Sequence, residues 1–240
     1  MWPDLTQRSA ALERMDDRTI GGEELAVALR QLRVINLALG SAWPTLEGVL
    51  RLWSRAGKPK RLSILDIGAG SGDLNRILLA WAMARGVAMR ITLVDIHPQT
   101  CAAARAYYRD DPRVQVMCAD LLNLGVRSAD IVTAALFVHH FESERLAAVF
   151  SALGHAARLG VVVNDLHRHP VAWVGIRAAT WLLSRSPMIR NDAPLSVRRG
   201  FRSEDFRLLR RTPGLSELTY VWRPFFRYLI MLPGLAAPAE

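Results

Sequence analysis

Lysine is almost missing from this 240-residue chain: only Lys58 and Lys60 occur, so the formal charge of +9 is arginine charge. A basic excess of this kind fits nucleic acid, a membrane surface or an anionic substrate, and equally a plain solvated surface. Cysteine is scarce too. Cys101 and Cys118 have no metal-type spacing, which removes a cysteine metal site and a disulfide framework and suggests buried thiols in a reducing compartment. No apolar core follows the Met-Trp-Pro-Asp N-terminus, so no signal peptide is expected and the cytoplasm is the expected location. The longest apolar stretch, Val171 to Leu183, is broken by Arg177 and is too short to span a bilayer. Neither an internal repeat nor a low-complexity segment is present. The length suits one α/β domain with its own core, and hydrophobic residues make up 51% of the chain, enough for an apolar pocket or surface besides.

The densest information lies in Leu-Ser-Ile-Leu-Asp-Ile-Gly-Ala-Gly-Ser-Gly-Asp at 62–73. A short apolar run carries Asp66, alternating glycines follow at Gly68, Gly70 and Gly72, and an amphipathic helix then begins. Glycines at such a turn let a ligand approach the backbone, and the N–H groups of the next helix face it. A dinucleotide fold asks for glycine where Asp73 stands. Further along, strands fit 62–67, 90–95, 114–118, 129–135 and 160–164, with helices near 73–86, 98–108 and 142–158. That alternation demands parallel pairing with helices on both faces of the sheet. Segments 217–222 and 225–232 flank Arg223-Pro224 and suggest a closing antiparallel hairpin.

The spelling apolar-apolar-Asp-apolar-Gly-x-Gly-x-Gly resembles the first motif of class I S-adenosylmethionine (SAM)-dependent methyltransferases. The resemblance covers about residues 60–165 and, less closely, the hairpin. It implies a Rossmann-like sheet of seven strands, parallel except for a reversed C-terminal strand, and SAM as cofactor. On that reading residues 1–56 are an N-terminal helical cap. Residues 57–240 are the SAM-binding domain, with a substrate-cap insertion at about 165–200.

The same resemblance distributes roles. Asp66, Gly68, Ala69, Gly70 and Gly72 make the cofactor turn. Asp95, ending Leu93-Val94-Asp95-Ile96, would accept the ribose hydroxyls, with Ile96 beside it; an ordinary strand-end cap is the plainer alternative. Asp120 and Leu121 match the adenine position, where an exposed loop acid is the alternative. Ala135 begins the exit of strand four, and Leu136-Phe137-Val138-His139-His140-Phe141 resembles the Leu-His-His-Phe segment of ubiquinone- and menaquinone-type methyltransferases. His167 and His169 end the fifth strand, so four of six histidines stand at strand exits. Histidine is the usual general base near neutral pH, and His140 is the first candidate, then His167 and His139, with Asp165 able to orient one of them. Arg30 and Arg33 could meet the cofactor's carboxylate, although a solvated helix face explains them as well. No metal ligand set is expected.

These readings point to methyl transfer onto a hydrophobic small molecule, with oxygen of a phenol or enol, polyketide- or quinone-like, as acceptor. Glu13-Arg-Met-Asp16 and Asn164–His169 are similar to methyltransferases associated with type III polyketide synthases. A C-methyltransferase of quinone precursors shares nearly every feature. An RNA methyltransferase draws on the charge, but no Asn-Pro-Pro-Tyr or Pro-Cys signature is present, so a nucleic-acid partner is not expected. A SAM-binding protein without turnover is the remaining alternative. The apolar insertion and the Trp/Phe/Arg-rich C-terminal region suggest peripheral contact with a membrane.

Overall fold

A computed structural model describes residues 3–17 and 21–236. Residues 1–2 and 18–20 of the expected cap, and 237–240 at the other end, lie outside the described residues. After a 3-10 turn at Arg14–Asp16 come helices α1 (Gly22–Ala38) and α2 (Trp43–Arg55). The alternating core follows: β1 (Arg61–Ile67), α3 (Arg76–Ala84), β2 (Ala88–Asp95), α4 (Pro98–Tyr107), β3 (Val114–Cys118), β4 (Ala129–Ala135), α5 (Leu146–Ala156) and β5 (Ala157–Leu166). Helices α6 (Pro170–Leu183), α7 (Pro187–Arg199) and α8 (Ser203–Leu209) precede the hairpin of β6 (Thr219–Arg223) and β7 (Arg227–Pro233).

The seven strands form one sheet in the order β3-β2-β1-β4-β5-β7-β6. β1 to β5 run parallel and β7 lies antiparallel between β5 and β6. Chain order reverses between β1 and β4, and in open α/β sheets ligands sit at the carboxyl ends of strands beside such a switch. One face is covered by α2, α3 and α4, whose Leu46, Val49, Leu78, Leu79 and Ala104 pack on Ile64, Ile91 and Val162. The other is covered by α5 and α8 through Val149, Phe150, Leu153, Phe206 and Leu209. The expected sheet, with its reversed strand, is the sheet observed.

Boundaries moved where pairing overrode local pattern. β5 starts at Ala157 rather than 160 because Ala157 already pairs with Ala129 of β4, and α5 passes into it without a loop. Cys101 is buried as expected, but Cys118 is exposed at the end of an edge strand. The expected N-terminal cap splits in two. Helix α2 belongs to the sheet: its Gly48 lies so close to β5 and β7 that an added Cβ would stand 2.4 Å from Val162 Cγ1 and 3.0 Å from Leu229. Helix α1 is the part over the strand ends. It shares a small core with α7, built on Ala28, Ile35, Met188 and Ile189. Asn164 of β5 fastens the connection, donating from Nδ2 to Ser41 O at 2.6 Å and to Thr45 Oγ1 at 3.1 Å.

Because Gly48 is a contact point with no room for a side chain, Gly48→Leu should cost about 1–3 kcal/mol, the usual penalty of overpacking. Urea unfolding followed by circular dichroism measures it; unchanged stability would mean α2 does not rest on the sheet as described.

Candidate active site

The turn after β1 is shaped by what passes beside it. Gly68 has φ +63°, and a Cβ there would fall 2.0 Å from Phe137 Cδ2, so both the backbone and the neighbouring ring exclude any other residue. Gly70 has nothing within 4 Å of its Cβ position, leaving its backbone open to a ligand. Its N–H donates to Asp95 Oδ2 at 3.0 Å, and His97 N–H donates to Oδ1 at 2.9 Å, so the β2 carboxylate is aimed at the turn by two backbone bonds. Burial nonetheless raises the pKa of Asp95, the penalty exceeding what those bonds recover. Asp120 caps the short turn after β3, accepting from Leu122 N–H at 3.0 Å.

Two cavities open along this edge. The smaller, about 450 Å³, is lined by Ile96, Ala119, Asp120, Leu121, Phe137 and Phe141. The larger, about 700 Å³, runs from Gly68, Ala69 and Gly70 past Asp95, Ala135 and Phe137 to apolar residues of α1, α6 and α7, Ile35, Leu39, Ile176 and Val197 among them. Asp95, Ile96, Phe137 and His140 border both.

Not every expected residue lines a cavity. Asp66 is buried inside the sheet, accepting from Asn75 Nδ2 and Thr133 Oγ1 at 2.6 Å each, and desolvation lifts its pKa to about 6. It braces β1 against β4 and the start of α3. Gly72 packs against Leu93 and Tyr108. His167 borders neither cavity: it lies against His169, Phe226 and Tyr228, and burial with His169, Arg202 and Arg168 nearby pushes its pKa down to about 4. Arg30 pairs with Glu23 at 2.8 Å, and Arg33 stacks over Tyr107 of α4, so neither lines a cavity.

His139 and His140 occupy a 3-10 turn after β4, entered through Leu136 at φ +55°. His139 is buried. Its Nδ1 is 2.7 Å from Asp165 Oδ1, its backbone N–H donates to Asp165 Oδ2 at 3.1 Å, and its Nε2 is 3.5 Å from Glu13 Oε1. Burial alone would lower its pKa; the charges of Asp165 and Glu13 and their hydrogen bonds outweigh that and raise it to about 9. His140 is half-buried on the cavity wall, with Nδ1 2.7 Å from Asp16 Oδ1. Burial raises the Asp16 carboxyl, but the contact and charge of His140 prevail and hold it below its ordinary value.

The turn's carbonyls are gripped as well. Arg8 donates from Nη2 to His139 O and Phe141 O, and Arg199 donates to His139 O, His140 O and Ala11 O. Asp192 of α7 accepts from the N–H groups of Arg14 and Met15 at 2.9 and 3.0 Å, seating the segment that brings in Glu13 and Asp16. Sequence reasoning missed Glu13, Asp16, Arg8, Arg199 and Asp192 as site residues. The only local signal was two acids three apart in a helix-poor stretch.

Residues 64–160 match the family model described as a methyltransferase domain. A structure of this fold is solved with S-adenosylmethionine bound. The geometry fits that group: an open glycine turn, an aimed carboxylate at Asp95 and an apolar slot beside Asp120. These residues would hold the aminoacyl end, the ribose and the adenine. Among solved structures, magnesium protoporphyrin IX methyltransferase from Synechocystis, with SAM bound, is 18% identical over 93% of this chain and 97% of its own, with TM-score 0.57. An O-methyltransferase family 2 protein from Planctomyces limnophilus, in complex with apigenin, is 14% identical over 90% of this chain and 62% of its own, TM-score 0.57. The CMeT domain of the citrinin polyketide synthase is 16% identical over 74% of this chain, TM-score 0.54; the match spans 47% of that structure's chain. At such identities the likeness is one of fold. No curated protein sequence matches the chain.

The raised pKa of His139 makes the site pH-sensitive. A group whose folded pKa lies above its unfolded value stabilises the fold fully below the unfolded pKa. For His139 that contribution is complete below about 6.5 and is lost as pH rises through about 9. The melting temperature should therefore fall between pH 7 and 9.5, and fall much less in His139→Gln. Parallel curves for the two proteins would show that His139 carries no buried charge.

Proposed function

We propose that the protein methylates a hydroxyl oxygen, phenolic or enolic, on an apolar small molecule held in the larger cavity. The observation that carries this reading is an imidazole paired with a carboxylate, His140 with Asp16, on the wall of an apolar cavity that begins at the glycine turn. Bound S-adenosylmethionine supplies a methyl group already activated on a sulfonium. What remains for the chain is alignment, exclusion of water and removal of the acceptor's proton. Asp16 at Nδ1 leaves Nε2 of His140 to accept that proton. His139, fixed between Asp165 and Glu13, then acts as a positioning residue that keeps the turn and its neighbour in place.

The apolar lining supports a small organic acceptor over a nucleic acid, despite the arginine surplus. The fold neighbour bound to apigenin agrees with an acceptor of this kind. Carbon methylation is the competing reading, since the CMeT domain shares the fold. Either reaction releases one proton, so the acid-paired imidazole serves both, and the methylated atom of the product is what separates them. We place the acceptor against α1, α6 and α7 because these helices supply the apolar end of the cavity.

Alanine at His140 should slow single-turnover methyl transfer by about 10²–10⁴-fold, the range for loss of a general base. Affinity for the cofactor should barely change. A near-wild-type rate in a folded His140→Ala protein would remove the base from the mechanism.

A further inference from the structure

The apolar end of the cavity opens among side chains that water should not favour. Helix α6 buries only Thr180, while Val171, Trp181, Leu182 and Leu183 are each more than half exposed, Leu182 at 75%. On α1, Val34 and Leu37 are exposed at 67% and 81%, and Trp43 at the start of α2 is at 64%. Trp222 and Phe225 stand out at the β6–β7 turn. Single exposed apolar residues are ordinary. These cluster instead on three segments that also line one cavity: Leu32 and Ile35 from α1, Val171 and Ala179 from α6, Phe225 from the turn. The helices also touch one another, through the small core of Ile35, Ile189 and Ile176. The patch therefore rims the acceptor's entrance.

Charge decides what fits there. No acidic residue occurs from 166 to 191 or from 25 to 46, whereas Arg30, Arg177, Arg185 and Arg190 are exposed in those stretches. Arg177 lies over the Trp173 ring, 5.3 Å from its centroid, and Arg190 is fixed by bonds to Trp181 O and Ser184 O. Tryptophan and leucine flanked by arginine, without acids, form the chemistry of a helix lying in the headgroup layer of an anionic membrane. No single helix among the described residues is long and apolar enough to cross a bilayer. At 14 residues α6 is about 21 Å long, suited to lying along the interface.

We infer that the face formed by α6, the C-terminal half of α1 and the β6–β7 turn docks on an anionic lipid surface, so that the cavity mouth opens toward the bilayer. An apolar acceptor then reaches the cavity from the lipid without crossing water. The docking rests on the surface alone, while delivery of the acceptor rests on the proposed function.

Co-sedimentation of the full chain with vesicles tests it, using phosphatidylcholine alone and phosphatidylcholine mixed with phosphatidylglycerol. The chain should sediment with the anionic vesicles, much less with the neutral ones, and less as salt rises. Trp181→Ser with Leu182→Ser should weaken that partition about tenfold or more, and so should Arg177→Glu with Arg185→Glu. Neither pair is packed in the core, so circular dichroism should be unchanged. Absence of binding to anionic vesicles, or equal binding by wild type and both variants, would overturn the inference. So would a dimer that the Trp181/Leu182 variant dissociates while vesicles bind neither protein, because the face would then belong to a second copy of the chain.

Discussion

Three segments distant in sequence meet at one buried imidazole. Asp165, at the end of β5, holds His139 Nδ1 at 2.7 Å, and Glu13, from the N-terminal segment, faces Nε2 at 3.5 Å. A charge in such a place is tolerated only when its partners are present, and removing one partner from a buried pair is costly. The arrangement therefore works as a condition on folding: the N-terminal segment must lie across the strand ends for His139 to be satisfied. Once it does, Asp16 arrives at His140, three residues on from Glu13, and the cavity gains its wall. Arg199 and Arg8 extend the condition to the carbonyls of the same turn.

The cofactor half of the site follows a different logic, local and built from backbone. Gly68 is fixed by the Phe137 ring, Gly70 by the need for an open side, and Asp95 by the N–H groups of Gly70 in the turn and His97 after β2. Phe137 joins the halves, since it presses on Gly68 and stands two residues before His139. Methyl donor and acceptor thus share a boundary set by one short stretch, Ala135 to His140.

That difference explains what could be read from the sequence. The strands, their parallel pairing and the glycine turn depend on short-range spelling, and they were legible. Spelling does not show that Asp66 faces Thr133 and Asn75 inside the sheet. Nor does it show that the His167 ring lies against His169, Phe226 and Tyr228 and lines neither cavity. Glu13 and Asp16 were invisible as site residues because their partners lie more than 120 positions away and no periodicity marks the contact. Helix α2 read as part of a cap because its amphipathic pattern gives a buried face without saying against what. Gly48, where α2 touches the sheet, is the residue that could have told.

The account turns on donor and acceptor spaces meeting at the His140 wall. A crystal structure with S-adenosylhomocysteine tests this most directly. The account predicts the ribose hydroxyls on Asp95, the adenine in the slot beside Asp120 and Leu121, and the sulfur opening into the larger cavity between Phe137 and His140. A ribose bound away from Asp95, or a nucleoside filling the apolar cavity between α1 and α6, would contradict it.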